Sequence, residues 1–298
     1  MHRGMTLALV AAMTAPVASA KQRELPLLAP STPWNIDYDL EACRLQRAFG
    51  DGDDRITLRL VRYGPGRGFE ILASGKRLGA TERELLSYGF APGGEETKVD
   101  HPLFGKGDDG VTTWQFSAKL LPDDKDDDGE RDTGAFKDRE AELNRRYEER
   151  LAEIRTIRFI DGVVKPVALN LGDMVRPMAA MEQCVDDLTA SWGLDPVVQN
   201  ELQCPPRPKS NPGRWIKVGD YPETLLRKGI SGKIPFRLMV DAGGLVTSCK
   251  IQALYSDSAF EKAVCPVLGK RASFDPALDA KGQPVASVWT TSVVFVTS

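Results

Sequence analysis

The sequence predicts an α+β protein in which a small C-terminal unit, an antiparallel sheet with two helices, is preceded by a separate α+β unit. Three observations predict it. The chain has 298 residues, enough for two cores. Strand-like alternation and helix-like periodicity both occur in each half. A polar, proline-rich stretch, Cys204-Pro-Pro-Arg-Pro-Lys-Ser-Asn-Pro212, separates the halves as a semi-rigid linker would. Hydrophobic residues make up 42% and charged residues 27%, which allows folded cores. The net charge is -3, with Lys and Arg interleaved among Asp and Glu, so no basic face is offered to nucleic acid.

From the N-terminus, Met1-His2-Arg3 is a short basic start. Met5 to Val17 is apolar, and Ala18-Ser19-Ala20 has the small-x-small pattern of a cleavage site. Residues 1–20 read as a secretory signal, with Lys21 opening the mature chain. The competing reading keeps this segment as a membrane anchor. It is shorter than the ~20 apolar residues that span a bilayer. Residues 21–33 form a proline-containing leader. The N-terminal unit, 34–200, then turns β-like. Arg55 to Tyr63 alternates polar and apolar residues, Gly64-Pro65-Gly66 turns the chain, and Phe69 to Ala73 is a second strand. Thr113 to Leu120 is a third. Phe136, Leu143, Tyr147, Leu151 and Ile154 recur at helical spacing and predict a helix over 134–154. Ile157 to Ile160 and Val163 to Val167 are expected to form a hairpin about Asp161-Gly162. A second helix spans 176–192, with Gly193 as its stop.

After the linker, 201–214, the C-terminal unit covers 215–298. Pro222 to Lys228 is a short helix ended by Gly229. Lys233 to Asp241 is a strand with Ile234, Phe236, Leu238 and Val240 on one face. Asp241-Ala-Gly-Gly244 turns into a partner strand ending near Ala253. A helix over 257–270, capped by Ser256 or Asp257, precedes a last strand, Val285 to Val296.

Little in the chain points to enzyme chemistry. Asp124-x-Asp126-x-Asp128-Gly129 begins like a calcium loop, but Ala135 occupies the position of the final Glu, so a solvated acidic loop is expected. His101 is the sole histidine beyond the signal, and no Gly-x-Ser-x-Gly accompanies it. Gly64-x-Gly66-x-Gly68 lies between strands and lacks the helix N-terminus of a phosphate loop. No catalytic residue, cofactor or metal is expected. The chain has five cysteines, an odd number. Cys43 with Cys184 is preferred over Cys184 with Cys204, because Cys204 lies in the linker and suits the unpaired thiol.

An ordered series carries a family likeness: Tyr221-Pro222, Gly229, Gly232, a strand ending at Asp241, Gly244-x-Val246, Arg271-x-x-Phe274-x-Pro276-Ala277, and Gly282-x-Pro284-Val285. In order and spacing it resembles the TonB C-terminal domain family. Trp34-x-x-Asp37-Tyr38 and Cys43 to Gly50 are similar to a lead-in of exported TonB-like proteins. The chain departs from the family at Leu254-Tyr255-Ser256, at Phe260-Glu261, and at Val218, where TonB itself carries Gln. Cys249 and Cys265 fit a subgroup of the family with a bridge between the second strand and the following helix.

The resemblance implies a non-enzymatic periplasmic protein associated with outer-membrane transport. Its partners would be proteins such as TonB-dependent outer-membrane receptors, bound by strand addition. The candidate edge is the last strand, with Val288, Thr290, Ser292 and Val294 as partner-binding residues. The competing structural reading makes that strand central. The competing functional reading is an energy transducer anchored by an uncleaved N-terminal helix.

Overall fold

Helices and antiparallel sheets both form, in a computed structural model that describes residues 25–81, 85–99, 102–121, 133–229, 232–252 and 258–295. The signal segment, His101, the Asp124 to Asp128 loop, the Ser256/Asp257 cap and Leu254-Tyr255-Ser256 lie outside the described residues. In chain order the N-terminal strands are β1 (Leu27–Leu28), β2 (Asn35–Tyr38), β3 (Cys43–Phe49), β4 (Ile56–Arg62), β5 (Phe69–Gly75), β6 (Ser87–Ala91), β7 (Thr97–Lys98), β8 (Leu103–Lys106), β9 (Thr112–Ala118), β10 (Thr156–Phe159) and β11 (Val167–Asn170). Helices α1 (Thr133–Glu153), α2 (Val175–Ser191) and α3 (Pro196–Asn200) accompany them. The later elements are β12 (Arg207–Pro208), α4 (Glu223–Leu226), β13 (Gly232–Val240), β14 (Val246–Ile251), α5 (Ser258–Arg271), β15 (Phe274–Asp275), β16 (Ala277–Leu278), β17 (Pro284–Val285) and β18 (Ser287–Phe295).

Among the described residues, the N-terminal unit has two sheets. One is antiparallel, in the order β2-β3-β4-β5-β9-β8; the other runs β1-β11-β10-β6-β7. Aromatic side chains join their inner faces: Tyr88 meets Phe116 at 5.0 Å, and Phe69 meets Phe90 at 6.3 Å. The expected periodicity of α1 buries Tyr147 and Leu151, with Ile154 just beyond its end. Helix α2 buries Met178, Met181, Cys184 and Leu188, and Cys184 is bonded to Cys43 on β3 with S–S 2.06 Å.

Three sequence expectations need correction. The expected strand 163–167 begins only at its last residue, Val167. β10 pairs with Val167–Asn170 instead, and the connection is a longer loop in which Val163 bridges to Ala80. The leader, 21–33, is in part a sheet component: β1 runs parallel to β11, and Pro30 bridges to Phe49. An extended segment beside an unpaired edge satisfies its own backbone groups by joining it. The proline-rich stretch, 201–214, is no free spacer. Cys204 exchanges backbone hydrogen bonds with Leu278, and β12 pairs with β15. Prolines hold this backbone extended, and the residues between them keep the groups that a bridge needs.

Hydrophobic residues gather into two clusters, one from Cys43 to Leu188 and one from Trp215 to Phe295. In the second, Ile234, Phe236, Leu238 and Val240 are buried as their alternation requires. The sheet order is β14-β13-β18, antiparallel throughout. Helix α5 packs on β14, and the Cys249–Cys265 disulfide, S–S 2.04 Å, joins the two. Gly244 makes the β13–β14 turn at φ 83°, where a Cβ would lie 2.0 Å from the carbonyl oxygen of Phe274. Only glycine fits that crossing.

Candidate partner-binding edge

Strand β18 lies at the border of its sheet, so its outer edge is unpaired among the described residues. Which backbone groups face outward follows from the register. Gln252 N–H donates to the Pro235 carbonyl at 2.9 Å, so Pro235 directs its backbone toward β14. Hydrogen-bonded and non-bonded pairs alternate along an antiparallel ladder. Ile234, Phe236, Leu238 and Val240 therefore bond to Val293, Thr291, Trp289 and Ser287 opposite them. The N–H and C=O groups of Val288, Thr290, Ser292 and Val294 point outward. No described residue outside the ladder hydrogen-bonds to them. Pro235 is tolerated inside β13 because its missing N–H falls where β14 ends.

The side chains of those four residues have a different setting. They lie on the sheet face away from the C-terminal core, opposite Met239, Arg237, Pro235 and Lys233. That face packs on the N-terminal unit. Lys233 Nζ donates to Glu70 Oε1 at 2.7 Å and to Ser117 Oγ at 2.6 Å. Ser117 Oγ donates to Glu70 Oε1 at 2.6 Å, while Glu70 Oε2 is buried without a partner among the described residues. Arg237 reaches Glu41 at 3.1 Å and lies 4.1 Å over the Trp192 ring. Gln252 Nε2 donates to the Glu41 and Tyr63 carbonyls. At the start of β18, on the face shared with Val240, Gln199 on α3 donates to the Ala286 carbonyl and accepts from Ser287 Oγ. At Gly64 a Cβ would lie 3.0 Å from Thr290 Cγ2, so the bare backbone allows the close approach. Burial, and then the charge of Glu70, hold the Tyr63 hydroxyl far above the ordinary phenol range.

A hollow therefore flanks β18 on each face. On the core side, Trp215, Ile216, Val218, Tyr221, Trp289 and Val293 line a groove of about 460 Å³. On the other side, a cavity of about 290 Å³ lies between Thr290–Ser292 and Tyr63, Pro65, Gly68, Glu70 and Ser117 of the N-terminal unit.

Residues 219–297, the segment that carries this edge, match the family described as Gram-negative bacterial TonB protein C-terminal. The chain carries a TonB C-terminal domain. No curated protein and no solved structure matches the chain. The N-terminal unit lies outside the TonB match. Members of the TonB family are envelope proteins that interact with proteins such as outer-membrane receptors.

The sequence-nominated residues Val288, Thr290, Ser292 and Val294 share one edge of the TonB domain and one of its faces. Cys43 meets Cys184 and Cys249 meets Cys265, while Cys204 is free and buried. Sequence reasoning missed Glu70, Ser117 and Lys233. The signal for the two charged residues was Glu70 inside the otherwise apolar run Phe69 to Ala73 and Lys233 alternating with Arg237 along β13; Ser117 carried none. It also missed the aromatic groove, where Val218 is 91% exposed. Among the described residues no helix is long and apolar enough to cross a membrane, and no three metal-binding side chains cluster.

Proposed function

We propose that the protein is a non-enzymatic periplasmic interaction protein, associated with outer-membrane transport. Its TonB domain binds an extended partner segment by strand addition to β18, through the outward backbone of Val288, Thr290, Ser292 and Val294. The partners are proteins, TonB-dependent outer-membrane receptors among them. One observation supports the reading above the rest: among the described residues, β18 has a neighbour on one side only. Its outward N–H and C=O groups repeat along nine residues, which is a template for another strand. The TonB match adds the envelope setting and protein partners.

The test is capture of receptor-derived peptides by the protein and by a Ser292→Pro variant. The proline removes an outward donor and leaves the β13 ladder intact, so capture is expected to fall at least tenfold without loss of folding. Undiminished capture would discard the binding mode. The periplasmic part of the reading has its own check. The mass of the protein isolated from its cells should correspond to a chain starting at Lys21.

A further inference from the structure

We infer that the N-terminal unit builds one wall of the partner groove, and that Glu70, with Ser117, selects partner residues that carry a hydrogen-bond donor. The inference rests on strand addition along β18. A strand added there would lie roughly 4.8 Å from β18, with successive side chains on opposite faces. One set would meet the aromatic groove of about 460 Å³, lined by Trp215, Tyr221 and Trp289. The alternate set would enter the cavity of about 290 Å³, whose far wall is Tyr63, Pro65, Gly68 and Glu70. That wall belongs to the N-terminal unit and not to the TonB domain.

The two hollows differ in chemistry. The first offers aromatic and aliphatic surface. The second holds Glu70, which is 8% exposed. Lys233 and Ser117 both bond to its Oε1, and its Oε2 is buried without a partner among the described residues. An unpaired buried carboxylate oxygen is costly, and a donor arriving with the partner relieves that cost. A hydroxyl, amide or ammonium group does so; an isosteric alkyl group seals the oxygen in. Sites built around a buried polar group reject the analogue that lacks its complement. The ligand class is therefore an extended peptide that alternates bulky apolar residues with short donor-bearing ones.

Two synthetic probes test this: a lysine-flanked peptide alternating leucine and threonine, and its counterpart with valine in place of threonine. Threonine and valine differ by the hydroxyl at nearly equal volume. The protein should bind the threonine peptide about tenfold tighter, the scale of one hydrogen bond to a charged group. Adding that peptide should also shift the Glu70 side-chain carboxyl resonance in the unaltered protein, a reading that needs no variant. A Glu70→Leu/Lys233→Leu double variant should bind both peptides equally. Equal binding of both peptides by the unaltered protein overturns the inference and leaves strand addition standing. The inference is likewise overturned if neither probe binds while receptor-derived peptides still do. If receptor-derived peptides fail as well, strand addition itself falls.

Discussion

Lys233 and Glu70 face each other with side chains 10% and 11% exposed, their charged atoms 2.7 Å apart. Breaking a buried pair leaves one charge stranded, whereas removing both is often nearly neutral. Lys233→Leu alone is expected to lower stability by about 3 kcal/mol, and adding Glu70→Leu to recover most of it, read from urea denaturation midpoints. A double variant no more stable than Lys233→Leu alone would contradict the prediction. A second residue-scale prediction concerns pH. Asp220 accepts from Arg271 at 2.6 Å and from the Lys217 N–H at 2.7 Å. The Arg271 hydrogen bond first, and the Lys217 backbone second, hold its carboxyl below the ordinary 3.8. A lowered carboxyl contributes stability above its unfolded value and loses it as pH falls through the folded one. Asp220→Asn should therefore flatten the stability profile below pH about 4, where the unfolded carboxyl begins to bind its proton. An unchanged acid limb would contradict the assignment.

At the element scale, β18 separates two kinds of position. Ser292 sends its N–H outward and Thr291 sends its N–H to β13, so proline should act oppositely at neighbouring sites. Thr291→Pro is expected to cost at least about 1–3 kcal/mol in thermal unfolding, one ladder bond plus a buried carbonyl left unpaired. Ser292→Pro should cost less and affect partner capture instead. The reverse order would mean that the assigned backbone directions are wrong. The bridge from β14 to α5 closes a loop over a sequence separation of 16. Removing it with Cys249→Ser and Cys265→Ser should cost about 3 kcal/mol on the chain-entropy estimate. Much of this was legible in the residues. Alternation in Ile234 to Val240 gave the buried face of β13, and Gly193 and Gly244 marked the ends of a helix and a strand. The partner of β10 was misread because Val163 and Val167 are both β-branched. Only the bridge from Val163 to Ala80, contributed by a distant segment, separates their roles.

For the whole molecule, the sequence displayed two units but not how they meet. The contact is made by side chains that look solvent-facing in isolation: Lys233, Arg237, Glu41, Glu70 and Gln252. Charge alternation in a strand is usually a wet face, and tertiary partners alone turn it into an interface. Gly64 was legible as a turn glycine, and its second role, clearing Thr290, was not. Gly64→Leu should wedge the units apart, at about 1–3 kcal/mol for overpacking. Partner binding should then lose its preference for donor-bearing residues while the TonB domain stays folded. Cysteine chemistry reads the assembly from another side. In the native oxidised protein no thiol should react readily; after denaturation without reductant one should, at Cys204, which is buried. Labelling of any other cysteine would contradict the two pairings.

The most direct measurement is amide hydrogen exchange along residues 287–295, with and without a receptor-derived peptide. Strand addition predicts that the outward amides of Val288, Thr290, Ser292 and Val294 exchange quickly alone and become protected on binding. The inward amides of Trp289, Thr291 and Val293 should be protected in both states. Outward amides already slow in the isolated protein, or unchanged by a bound peptide, would contradict the account.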